Sequence, residues 1–239
     1  MNFISVFSTI VTFIFAAAVL NRYRHNKHTH LLLWGIGLIL YGTGTLTEVL
    51  LSLSFNPYVL KFWYLCGAML TAAWLGQGTV YLLVRKRGLA NAIMAVLALA
   101  SILALVFILI SPVTSHAATY NVSHPASEQY KDILVRSGMI ILLTILLNIY
   151  GTLALVGGAV YSAYLFWRKK VLFDRMIGSI LIAVGALMPA MAGSFVGMGL
   201  VDLLYVSEFI GVVIMYIGFL RATSPKAIKA PTQAASMAK

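Results

Sequence analysis

The chain has 239 residues, 61% hydrophobic and 10% charged, and its 17 Lys+Arg against 6 Asp+Glu give a net charge of +11. Soluble domains carry roughly a quarter charged residues, so this composition, with a mean hydropathy of +0.95, excludes an ordinary soluble domain. A basic excess on a soluble protein points to nucleic acid, but on so apolar a chain the position of each charge decides its meaning.

A helix needs about 20 mostly apolar residues to cross a hydrocarbon layer about 30 Å thick. Seven stretches qualify: 3–20, 31–53, 58–84, 89–110, 137–167, 176–199 and 203–220. They predict an all-α integral membrane protein, a seven-transmembrane-helix bundle forming one domain over residues 1–221. The first stretch ends near Ala16-Ala17-Ala18, which resembles a signal-peptide cleavage site, but Arg22 and Arg24 follow the apolar run rather than precede it. That flank predicts a retained anchor. Asn56-Pro57 supplies an N-cap and a first-turn proline for the third span, Gly88 after Arg85-Lys86-Arg87 closes it, and Asp202 can cap the seventh. The fourth span holds only Asn91 and Ser101 as polar groups and reads as lipid-facing. One connection is long, residues 111–136, and residues 222–239, rich in Ala, Pro and Lys, predict a disordered basic tail.

Orientation follows the bases in the short loops. Arg22, Arg24 and Lys27, then Arg85, Lys86 and Arg87, then Arg168, Lys169, Lys170 and Arg175, then Arg221, Lys226, Lys229 and Lys239 put fourteen of seventeen on one side. This predicts a multi-pass protein of the cell membrane with its N-terminus outside and its C-terminus in the cytoplasm. The charge excess is then a topology signal, and the expected partner is the lipid bilayer, not nucleic acid.

Polar and small residues mark the faces that meet inside such a bundle. Trp34, Tyr41, Thr45 and Glu48 share a face of the second span, and Trp63, Gly67, Trp74, Gln77 and Tyr81 one of the third. Ser137, Thr144, Asn148, Gly151, Gly158 and Ser162 align along the fifth, and Gly185, Pro189, Gly193 and Gly197 along the sixth. Close packing accounts for each stripe alone. Pro189 removes a helix hydrogen bond to the carbonyl of residue 185, so Pro189 and Gly193 form a candidate hinge.

Glu48 and Glu208 are the two carboxylates within spans. An acid in hydrocarbon is costly, which makes each a functional candidate. At 1.5 Å per residue both lie roughly 8 Å from the outer ends of their helices, near Lys61, Asp202, Tyr64 and Tyr205. Three arrangements follow: an ion pair with Lys61 as a structural clamp, two facing acids of which one titrates high and suits proton coupling, or a wet cavity with Asn148 that holds a small cationic solute or a metal ion.

Other chemistries find no footing. Cys66 is the single cysteine, so no intrachain disulfide forms, and none of the five histidines lies within a span. No phosphate-binding loop, zinc-protease motif or nucleophile-base pair is visible. The expectation is a protein that is not an enzyme, with no cofactor and no metal centre.

The layout is similar in topology to the seven-helix sugar carriers, with three spans, a bland fourth helix and three more. Those carriers bear prolines in several corresponding helices and often a Pro-Gln motif. Here Pro189 is the one proline inside a span and Pro-Gln is absent, so no functional residue is carried over. The leading expectation is a small-solute carrier or solute-binding protein. Its outward-facing pocket is formed by Tyr41, Glu48, Tyr64, Asn148, Tyr205 and Glu208, with Lys61 and Asp202 at the rim or in an ion pair. The alternatives are a sensor signalling through a cytoplasmic partner, or a subunit of a homo-oligomer or larger membrane complex.

Overall fold

In a computed structural model, which describes residues 3–84, 86–168, 173–197 and 201–223, the chain is helical, and no strand occurs among the described residues. The helices are α1 (Phe3–Asn26), α2 (Thr29–Leu51), α3 (Pro57–Leu83), α4 (Arg87–Ile110), the short α5 (Ala126–Ile133), α6 (Gly138–Arg168), α7 (Phe173–Gly197) and α8 (Val201–Thr223). Among the described residues, α1, α2, α3, α4, α6 and α8 are long and apolar enough to cross a membrane. The sixth expected span forms α7, whose far end lies partly outside the described residues. The tail beyond residue 223, the side chain of Asp202 and the surroundings of Gly193 lie outside them too.

Helix starts follow the capping chemistry. Asn56 Oδ1 accepts from the backbone N–H of Tyr58 at 2.8 Å and of Val59 at 3.3 Å, with Pro57 at the first helical position. Ser137 Oγ accepts from Ile140 N–H and opens α6. Gly88 does not close the third span: α3 stops at Leu83, and Gly88 lies in the first turn of α4. Between α1 and α2 the chain turns at Lys27, whose φ of 51° places it in the left-handed region.

Six helices pack in a ring, in the order α1, α2, α3, α6, α7, α8 and back to α1, with α4 outside against α3 and α6. Trp74 Nε1 donates to Ser101 Oγ at 3.2 Å, Gln77 Nε2 to the Ala90 carbonyl at 3.1 Å and Tyr81 Oη to Asn91 Oδ1 at 2.6 Å. Both polar residues of the fourth span are therefore bound to α3. The rest of α4 exposes Val96, Leu99, Ile102, Val106 and Ile110, the surface a helix at lipid needs.

Two of the long helices contain a π turn, Tyr64–Leu70 in α3 and Leu153–Gly157 in α6. A π turn widens the hydrogen-bond ring and strands carbonyls that other groups must satisfy. In α3, Thr71 Oγ1 donates to the Cys66 carbonyl at 2.7 Å, and Asn148 Nδ2 of α6 donates to the Ala68 carbonyl at 2.7 Å. The turn also shifts the helical phase. Trp63 and Gly67 end on the ring interior while Trp74, Gln77 and Tyr81 meet α4, so one sequence stripe serves two faces.

Two apolar cores stack along the ring. One joins α3, α4 and α6 to the 111–136 connection through Leu60, Met69, Leu97, Ile108, Ile133 and Leu147. The other joins α1, α2, α3, α7 and α8 through Phe15, Val19, Leu38, Leu75, Met215 and Phe219. The 111–136 connection is ordered, not a plain loop. Its two ends are tied by Thr114 N–H to the Ile133 carbonyl at 2.9 Å and Val135 N–H to the Pro112 carbonyl at 3.2 Å, and by Ser111 Oγ to the Val135 carbonyl. Gln129 holds the turn before α5, accepting from Asn121 N–H and donating to the Asn121 and His124 carbonyls.

Candidate functional site

A cavity of about 370 Å³ lies inside the ring beneath α5. Its wall includes Tyr41 and Glu48 from α2, Trp63 and Gly67 from α3, Asn148 and Thr152 from α6, Pro189 from α7, and Tyr205 and Glu208 from α8. Ser5 of α1 and Ser127, Tyr130 and Lys131 of α5 also line it, with Lys131 exposed. Five of the six residues expected in a pocket therefore share one cavity.

Glu48 is 6% exposed. Its Oε1 accepts from Tyr205 Oη at 2.6 Å and from the Ala126 backbone N–H at 3.1 Å. Ala126 opens α5, so the carboxylate sits at the positive end of a helix and takes up one of its free N–H groups. Since the Tyr205 proton points to Glu48, Ser127 Oγ donates to Tyr205 Oη at 2.9 Å. The Trp63 indole stands on the wall of the same cavity, and Oε2 has no hydrogen-bond partner. Burial and the charge of Glu48 push Tyr120, outside the spans, up to about 12.

Glu208 lines the same cavity. Tyr41 Oη donates to the Glu208 backbone carbonyl at 3.0 Å, and among the described residues the carboxylate itself has no hydrogen-bond partner. Asn148 spends both amide hydrogens on the Ala68 and Thr144 carbonyls, at 2.7 and 2.8 Å, which fixes its Oδ1 as the end left free.

Lys61 takes no part in an ion pair with either acid. It is 8% exposed, and its Nζ donates at 2.8 Å to the Leu109 carbonyl in the last turn of α4, where a cation offsets the negative helix end. Tyr64 is also displaced from its expected place. It does not line the cavity; its hydroxyl meets Thr144 Oγ1 at 3.2 Å and its ring packs 5.5 Å from that of Tyr130. Adjacent helix residues point about 100° apart, so Trp63 takes the wall that Tyr64 was expected to fill. Sequence reasoning missed α5 altogether. Pro125 before Ala126 and Glu128 in the first turn were the available start signals.

Two smaller voids continue along the ring axis. One of about 110 Å³ shares Tyr41, Gly67, Asn148, Thr152, Pro189 and Glu208 with the main cavity. The next, about 40 Å³, is lined by apolar and aromatic side chains, with Leu75, Leu155 and Met215 common to both. Pro189 sits at the main cavity, and the carbonyl it frees, that of Gly185, lies against Gly211 of α8: a Cβ added at Gly211 would stand 2.7 Å from that oxygen. Among the described residues no group of three or more His, Cys, Asp or Glu could hold a metal ion. No family model, curated protein or solved structure matches the chain.

Proposed function

We propose that this chain is a seven-span membrane protein that binds a small solute in a cavity open to the outer side, and that it acts as a carrier for that solute. The observation that carries the reading is that Glu48 and Glu208 line one cavity, with Lys61 engaged elsewhere. Two acids held without a cation in a membrane protein are expensive unless something else supplies the positive charge. The positive-inside rule puts the 111–136 connection outside, so the cavity mouth beside Lys131 faces outward. The smaller voids give a path toward the basic side, closed by Leu75, Leu155 and Met215, as an outward-facing state requires.

The test is uptake and solute-dependent thermal stabilisation in proteoliposomes, comparing the wild type with the Glu48→Gln/Glu208→Gln double variant. The expected result is loss of both signals in the double variant with a folded bundle retained. Equal uptake and stabilisation in both proteins would remove the role given to the acids.

A further inference from the structure

We propose that the cavity selects primary ammonium groups, and this rests on the solute-binding reading above. The hydrogen-bond inventory of the wall carries it. The donors that face the cavity are largely consumed inside the protein: Tyr205 and Ala126 on Glu48 Oε1, Tyr41 on a backbone carbonyl, Ser127 on Tyr205, and both Asn148 hydrogens on carbonyls. One wall donor stays unspent, the Trp63 indole N–H beside Glu48; the rest of what remains is a set of acceptors. These are Glu48 Oε2, on a side chain 6% exposed, the Glu208 carboxylate and Asn148 Oδ1. The hydroxyls of Ser5, Tyr130 and Thr152 serve in either sense, and Lys131 at the rim is the one cation among the described wall residues.

An occupant must therefore bring hydrogen-bond donors and positive charge together. A primary ammonium does so with three N–H donors on one atom. A quaternary ammonium brings the charge without the donors and leaves Glu48 Oε2 unsatisfied. A carboxylate-bearing solute meets two like charges. A hard divalent ion needs six or more oxygen ligands, so beyond the two carboxylates and one amide oxygen it would have to draw on the wall hydroxyls or on water. The rings of Tyr41, Trp63, Tyr130 and Tyr205 give the body of the amine a π surface, which favours an adjacent cation. The volume, about 370 Å³, is at the small end of the usual range for ligand cavities. A second ammonium, as in a diamine, would answer the second carboxylate.

The experiment uses the purified full chain in nanodiscs, with thermal stability and the tryptophan fluorescence lost in a Trp63→Phe variant as readouts. The probes are 2-phenylethylamine, 1,4-diaminobutane, the N,N,N-trimethyl derivative of 2-phenylethylamine, 3-phenylpropionate, calcium ion and glucose. The expected result is saturable binding of the two primary amines and affinity at least about tenfold weaker for the trimethyl derivative, the cost of lost charged hydrogen bonds. Glu208→Gln, whose carboxylate holds no structural bond, should keep the unliganded melting point and weaken the amines by a similar factor. Glu48→Gln serves as the second variant, and Lys131→Gln should strengthen amine binding at low salt. Trimethyl binding equal to that of the parent amine, or binding of only propionate, calcium or glucose, would overturn the selectivity and leave a solute-binding cavity standing. Silence from all six probes would overturn both.

Discussion

Asn148 connects the site to the backbone that builds it. One amide closes the α3 π turn, bonds its own helix and turns its oxygen to the cavity. Replacing it by leucine strands the Ala68 carbonyl in a membrane interior, at a cost of about 1–3 kcal/mol. Asn148→Leu should therefore lower the melting temperature in detergent, and an unchanged value would show that the π turn needs no partner. Tyr205→Phe acts on the opposite wall, removing the donor to Glu48 and the acceptor for Ser127. It should loosen α5, read as faster hydrogen exchange over residues 126–133. At this scale the sequence was informative where a polar group stood alone in an apolar run, as with Glu48, Asn148 and Glu208. It was silent on partners, because the Lys61 bond depends on where α4 ends in space. Residue type and depth alone point to Tyr64, and only the face of the helix separates it from Trp63.

Among the elements, α7 and α8 meet through paired glycines, Gly185 with Gly211 and Gly178 with Gly218. The α2–α3 crossing uses the same device, since a Cβ added at Gly44 would stand 2.8 Å from the Gly67 Cα. Such contacts with backbone cannot relax by turning a side chain. Gly211→Val should thus cost more than about 3 kcal/mol and abolish monodisperse folded protein on size exclusion. Gly88→Ala, with nothing within 4 Å of the added carbon and a helical backbone, should be neutral or stabilising by about 0.5–1 kcal/mol. If Gly211→Val behaves like Gly88→Ala, the crossing is looser than drawn. Glycines seven apart, Gly37 with Gly44 and Gly178 with Gly185, were visible in the sequence of the second and sixth spans. Their meaning as contacts with the next helix needed the fold. The π turns left no trace in an apolar pattern, and they divide the Trp63-to-Tyr81 stripe between two neighbours.

For the whole molecule, the all-helical architecture and its long apolar helices were legible because a bilayer forces long apolar runs. The cap over the cavity was not legible. An eight-residue helix in a polar connection buries Ala126, Ser127 and Ile133 only because α2, α3 and α8 offer them a surface. Ring closure by α8 against α1 puts Glu208 and Glu48, 160 residues apart in the chain, on the wall of one cavity, a placement that no local pattern encodes. The central claim is an acid-lined cavity entered from the side of the 111–136 connection. Thr152→Cys in a Cys66→Ser background places one thiol on the cavity wall. A membrane-impermeant, positively charged thiol reagent should modify it in intact cells and fail to do so from the inner face of inverted vesicles. Modification from the inner face alone, or from neither side, would contradict the claim.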